Sequence, residues 1–175
     1  GSTGTPKGAM VEQVGMINHL FAKIRDLNLT AADVIAQTAS QCFDISVWQF
    51  LAAALVGGQV VIYPDEVTHD PVALPRQVSA DGVTIWEAVP SMMRLALEEA
   101  AATENKLSAL RWMIPTGEAL APSLCRDWFA TYPQIPLLNA YGPTECSDDV
   151  THYPIYAPPP ESVIHMPIGR PVMNM

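Results

Sequence analysis

Positive charge is scarce in this 175-residue sequence. Nine Lys and Arg stand against eighteen Asp and Glu, a formal net charge of -9 at pH 7. Binding to a phosphate backbone rests on Lys and Arg neutralising phosphates, so nucleic acid is not expected as a partner. Charged residues of both signs make up only 15% of the chain, against 49% hydrophobic residues. Much of the chain is therefore expected to be interior, with a sheet covered on both faces or a surface that normally meets a neighbour. Long hydrophobic runs are missing too. "FLAAALVGGQVVIY" is broken by Gly57, Gly58 and Gln59, and neither side reaches the roughly 20 residues of a membrane span, so no membrane partner is expected. No signal peptide opens the chain, which gives a cytoplasmic expectation. Cys42, Cys125 and Cys146 are odd in number and form no CxxC pattern, so they read as free thiols. His19, His69, His152 and His165 lack metal-ligand spacing and read as surface or loop residues.

What the chain does have is an alternation of periods. "AMVEQVGMINHLFAKI" carries apolar residues at helical spacing, "DVIAQTAS" is strand-like, and "SVWQFLAAAL" is helical until Gly57-Gly58. "QVVIYP" is a short strand stopped by Pro64, and "PVALPRQVSAD" is a helix. "VTIWEAVP" is a strand, "SMMRLALEEA" a helix capped by Ser91, "LRWMIPTG" a strand, "APSLCRDWFATY" a helix and "PLLNAYG" a strand. Strands alternating with helices imply right-handed crossovers. The fold class is therefore α/β, a flavodoxin-like layered domain whose mostly parallel sheet is covered by helices on both faces. Residues 1–155 form this domain, and 156–175 form a Pro-rich extended tail leading to a further subdomain. Ligands of open α/β sheets sit beyond the carboxyl ends of the strands, which directs attention to residues 41–44, 87–90, 116–118 and 140–149.

Three motifs matter there. "GSTGTPKG" at the start is a Ser/Thr/Gly loop with a lysine, suited to wrapping polyphosphate with backbone N–H groups. It is not a Walker loop, since Pro6 precedes Lys7 and Gly8 follows it, and taken alone it is equally a flexible end. Together with "FDISVW" at 43–48 and "NAYGPTE" at 139–145, it occurs in the order and spacing of the adenylate-forming enzymes. The chain resembles most the adenylation domains of nonribosomal peptide synthetases, and "TGEAL" at 116–120 and "PIGRPV" at 167–172 are similar as well.

The resemblance implies ATP and Mg2+ as cofactors. Ser2, Thr3, Gly4, Thr5 and Lys7 correspond to the loop holding the phosphates. Tyr141 corresponds to the aromatic that stacks on adenine, with Asn139, Gly142, Gly117 and Glu118 beside the base. Thr144 corresponds to a phosphate-contacting hydroxyl and Glu145 to the magnesium ligand, so Lys7, Thr144 and Glu145 form the catalytic set. A hard dication prefers such oxygen ligands. Asp44 corresponds to the aspartate that binds a substrate α-ammonium, although an Asp before a helix also serves as a cap. The side-chain pocket then falls on Asp44, Ile45, Trp48, Glu87, Ile114, Thr116, Ala140, Asp148 and Asp149; a slip of one residue would exchange Glu87 for Trp86 or Ala88.

That pocket poses a problem of charge. Beyond Asp44 it holds Glu87, Asp148 and Asp149, and no Lys or Arg lies between Glu145 and Arg170. Like charges about 4 Å apart repel by roughly 4 kcal/mol at an effective dielectric near 20, enough to protonate one of them. A cationic substrate side chain would relieve this, so the expected substrate is a basic amino acid. Trp48 narrows the pocket and favours 2,4-diaminobutyrate, with ornithine, lysine and arginine following; similar pocket lines in this family accompany diaminobutyrate. The alternative is that Asp148 and Asp149 cap the next element or face water.

The resemblance further implies formation of an aminoacyl adenylate and its transfer to the phosphopantetheine thiol of a carrier protein. The preceding subdomain, the ribose-binding aspartate and the C-terminal lid with its catalytic lysine fall outside the sequence, so the isolated chain is expected to be inactive. Two other functions compete: a non-catalytic nucleotide-binding or interaction module, and an acyl-CoA ligase fragment, which Asp44 disfavours.

Overall fold

The computed structural model describes residues 8–103 and 105–175. Helix α1 (Gln13–Asp26) leads into strand β1 (Val34–Gln37), followed by α2 (Ile45–Val56), β2 (Gln59–Ile62) and the single turn α3 (Asp65–Thr68). Then come α4 (Ala73–Ala80), β3 (Ile85–Ala88), α5 (Pro90–Thr103), β4 (Trp112–Pro115), α6 (Pro122–Thr131) and β5 (Leu137–Tyr141). A 3-10 turn at Thr144–Cys146 precedes β6 (Thr151–Ile155) and β7 (Arg170–Pro171). The described sheet has seven strands in the order β2-β1-β3-β4-β5-β6-β7. The strands from β1 to β5 pair in parallel, and β6 and β7 are antiparallel.

Period two explains why both faces are covered. In β1, β3 and β5, Ile35, Ile85 and Leu138 point into a layer with Leu20, Leu27, Trp48 and Ala52 of α1 and α2. Their neighbours Ala36, Trp86 and Leu137 point into the opposite layer with Leu74, Met93, Leu124 and Trp128 of α4, α5 and α6. Burying a side chain of this size contributes about 2 kcal/mol. Glu87 has the parity of Ile85 and is paired in register with Ile114, which puts its carboxyl under α1 and α2. The α2 helix stops where expected: Gly57 takes a left-handed φ of 76° and returns its N–H to the carbonyls of Ala53 and Ala54.

Two expectations change. The helix entered at Pro90 is not capped by the Ser91 side chain; Ser91 N and Oγ both donate to the carboxylate of Glu118, at 3.1 and 3.0 Å. An anion reaching across from the β4 loop satisfies a free N–H of the first turn and complements the helix dipole. The Pro-rich stretch also returns to the sheet, because β7 pairs with Thr151 and His152 of β6 and Val172 is buried. Alternating strand signals are diluted there by prolines, which is why β6 and β7 were not visible as strands.

Candidate active site

A cavity of about 650 Å3 opens at the carboxyl ends of the strands. Its wall includes Asp44 and Ile45 from the start of α2, Glu87 from β3, Thr116 and Gly117 after β4, and Gly142, Thr144, Glu145 and Asp148 after β5. A neighbouring cavity of about 580 Å3 shares Asp44, Thr144, Glu145 and Asp148 and adds His19 and Trp48. Ile114, Ala140 and Asp149 are buried in the protein. Asp44 caps α2, since its Oδ1 accepts from Ile45 N at 2.9 Å, and it also lies on both cavity walls.

The loop that carries the acids is shaped by close approach. A Cβ at Gly142 would collide with the backbone of Asp148 and Asp149; only glycine lets the loop fold back onto the end of β5. Val150 N closes it by donating to Tyr141 O at 2.8 Å. Ser147 and Asp148 are consecutive non-glycine residues with φ of 66° and 81°. Such conformations are costly and persist when the surroundings enforce them. The Asp148 side chain is thereby held against the cavity, only 8% exposed, with Oδ2 lacking a hydrogen bond.

The charge problem is answered from another part of the chain. Lys23 of α1, fully buried, places Nζ 2.6 Å from Asp149 Oδ2 and 3.1 Å from Glu87 Oε1. Its ammonium also sits 4.6 Å from the centre of the Trp48 ring, and Trp48 Nε1 donates to the other oxygen of Glu87. Burial alone would depress the lysine, but the carboxylates of Asp149, Glu87 and Asp148 raise it well above its ordinary range. Although burial opposes it, Lys23 with His152 holds Asp149 far below the usual carboxylate value. Glu87, farther from the ammonium, is pushed up to about 7 by burial. Asp148, which among the described residues has no Lys or Arg within ion-pair distance, is pushed up to about 9 by burial and by the charges of Asp149 and Glu87.

Two histidines are corrected from surface or loop to interior: His19 is 5% exposed and His152 6%. His152 bridges Asp26 at 2.8 Å and Asp149 at 3.4 Å; burial lowers its basicity, but those carboxylates raise it overall. His19 approaches Asp148 at 3.7 Å and Asp149 at 3.6 Å, beyond hydrogen-bond reach, and burial lowers its pKa. Lys23 was missed although a signal existed. It shares the apolar stripe of Met16, Leu20 and Leu27 at helical spacing, with His19 one turn earlier.

The remaining sequence candidates divide. Tyr141 is 51% exposed and free to stack. Asn139 is buried, with Nδ2 donating to Pro167 O at 2.7 Å, and Glu118 is engaged with Ser91. Ser2, Thr3, Gly4, Thr5 and Lys7 lie outside the described residues. Among the described residues no helix is long and apolar enough to cross a membrane, and the three cysteines are free.

Comparison with known proteins places this geometry. Residues 1–175 match the family described as AMP-binding enzyme. Enterobactin synthase component F of Escherichia coli is 37% identical over 178 residues, which cover 99% of this chain and 14% of that protein. Vanchrobactin synthetase VabF of Vibrio anguillarum is 36% identical over 180 residues, 99% of this chain and 6% of the relative. The chain thus spans a small part of the curated relatives it matches. The solved Vibrio cholerae adenylation domain AlmE, in complex with glycyl-adenosine-5'-phosphate, superposes with a TM-score of 0.84 at 29% identity, covering 98% of this chain and 31% of that one. The nonribosomal peptide synthetase FmoA3 in its AMPPNP-bound form gives 0.89 at 28% identity, over 98% and 18%. The chain belongs to the AMP-binding enzyme family.

Proposed function

We propose that this chain is the ATP-binding and substrate-selecting part of an adenylation domain that activates a basic amino acid, 2,4-diaminobutyrate before ornithine, lysine and arginine. A carboxylate oxygen of the amino acid attacks the α-phosphorus, the bond to the bridging oxygen breaks, and pyrophosphate leaves. The phosphopantetheine thiol of a carrier protein then takes the acyl group as a thioester and releases AMP. Residues 1–155 supply the layered core, and 156–175 lead to the adjoining subdomain. The outward faces of α1 and α2 expose Ile17, Phe21, Phe50, Leu51 and Leu55, an apolar surface that suits the other adenylation subdomains as partners.

Asp44 takes the α-ammonium. Ile45, Trp48, Glu87, Ile114, Thr116, Ala140, Asp148 and Asp149 shape the side-chain pocket. On the nucleotide side, Tyr141 stacks on adenine while Asn139, Gly142, Gly117 and Glu118 flank it. Ser2, Thr3, Gly4, Thr5, Lys7 and Thr144 hold the phosphates. The oxygen donors of Thr144 and Glu145 stand together on the cavity wall, a donor set that fits Mg2+, with Glu145 as ligand. Bound magnesium would neutralise phosphate charge.

The observation that carries the choice of a basic substrate is Asp148. It is buried, fixed by a strained backbone on the cavity wall, and among the described residues lacks the lysine partner that Asp149 and Glu87 possess. A substrate ammonium supplies that partner, whereas an apolar side chain leaves the acid unpaired. ATP–pyrophosphate exchange by the complete adenylation domain tests this with 2,4-diaminobutyrate, ornithine, lysine, arginine, glutamate and leucine. Preference for the diamines supports it; preference for leucine or glutamate overturns the basic substrate; no exchange with any amino acid points to a non-catalytic module.

A further inference from the structure

We infer that Lys23 is a specificity-determining residue of the amino-acid pocket, a built-in cation that occupies the deep carboxylates and so limits the substrate to one short, singly charged side chain. The inference rests on the proposed basic substrate. Three acids surround the site, but they are not equivalent. Lys23 Nζ lies within hydrogen-bond distance of Asp149 and Glu87. The Trp48 ring faces its ammonium and the Trp48 N–H ties down Glu87, so neither lysine nor glutamate is free to turn away. Of these three acids, Asp148 alone presents at the cavity a buried oxygen without a hydrogen-bond partner among the described residues.

A substrate ammonium that reaches Asp148 gains a carboxylate at close range. One that reaches farther meets Glu87 and Asp149 already paired with Lys23, and approaches the like charge of its ammonium. Lys23 thus plays the part that the distal ammonium of a longer substrate would play in a pocket lacking it. Lys23 is itself fully buried and does not line either cavity; it acts by setting the charge and depth that Asp148, Glu87 and Asp149 offer.

Removing the lysine in two ways separates these effects. Lys23→Ala deletes the cation and opens space behind Glu87, exposing two carboxylates to a longer side chain. Lys23→Met with Asp149→Asn deletes one charge of each sign while keeping the space filled. Pyrophosphate exchange by the complete adenylation domain is measured with 2,3-diaminopropionate, 2,4-diaminobutyrate, ornithine, lysine and the neutral isostere homoserine. Lys23→Ala is expected to raise the kcat/KM of ornithine or lysine relative to 2,4-diaminobutyrate at least tenfold. The paired variant, in which Met keeps the space behind Glu87 filled, is expected to lose absolute kcat/KM for every substrate but to keep the native chain-length order and the preference for 2,4-diaminobutyrate over homoserine. A purely structural lysine would lower all substrates together. An unchanged order in Lys23→Ala, or the same change in both variants, overturns the inference.

Should Lys23→Ala fail to fold, the paired variant still decides: a lost chain-length order there means that charge pairing to Asp149 was not what mattered, contrary to the inference. If the native domain prefers homoserine to 2,4-diaminobutyrate, the basic-substrate proposal falls. The counter-ion role is then read from denaturation of Lys23→Met and of the paired variant. Recovery of stability by Asp149→Asn sustains it, and no recovery overturns it.

Discussion

Two charged clusters flank the same sheet at opposite ends of its strands, and they are built to different standards. At the amino ends, Asp33 before β1 is 2% exposed and fully engaged. Its Oδ2 accepts from Thr30 N at 2.8 Å, and Oδ1 accepts from Thr84 Oγ1 at 2.8 Å and from Arg111. At the carboxyl ends, the Lys23 cluster holds more acid than base and leaves Asp148 Oδ2, Asp149 Oδ1 and His19 Nε2 without hydrogen bonds. A cluster that only stabilises a fold satisfies its members, because each orphaned buried group costs about 1–3 kcal/mol. Orphaned buried groups beside a cavity make that end of the sheet the candidate for completion by a ligand.

Removing the cation from each cluster sharpens that contrast. Lys23→Met leaves Glu87 and Asp149 buried without their lysine counter-ion, and denaturant titration is expected to show a loss of about 3–5 kcal/mol. Asp148→Asn acts on binding instead. Its kcat/KM for a diamine is expected to fall about 100-fold, a loss of about 2.7 kcal/mol, while homoserine is barely affected. Asp33→Asn disturbs a cluster whose Arg111 side chain is 40% exposed, so the expected stability loss is smaller, about 1–2 kcal/mol, with no change in substrate ranking.

A further effect is one of pH. The folded-state pKa of Asp148 is raised to about 9 from an ordinary 3.8. The stability this acid permits is full below the unfolded value and is lost as pH rises through the folded one. Asp148→Asn is therefore expected to melt higher than the native chain at neutral pH, by a margin that widens as pH rises toward the folded value. That is a stabilising change at a site retained for binding.

Much of the layered core was legible because period two and period 3.6 report burial directly. Ile35 and Ala36, or Ile85 and Trp86, fall on opposite faces as alternation requires. The site was legible in part. Asp44, Glu87, Thr116 and Asp148 could be placed by motif, and the structure gathers them on one wall. The counter-ion was not, because Lys23 lies 64 residues from Glu87 and 126 from Asp149 in the chain. A surplus of acid in a local stretch says nothing about a cation brought in by tertiary packing. The histidines were misplaced for the same reason: their partners Asp26, Asp148 and Asp149 come together only in the fold.

The central claim is that Asp148 alone reads the substrate's side-chain charge. The most direct test compares kcat/KM for 2,4-diaminobutyrate and homoserine between pH 6 and 8, in the native adenylation domain and in Asp148→Asn. The account predicts that the native domain favours the diamine, that its preference grows with pH by up to about tenfold per unit as Asp148 gives up its proton, and that both the preference and its slope vanish in Asp148→Asn. A native preference for homoserine, or a diamine preference that survives in Asp148→Asn, would contradict it.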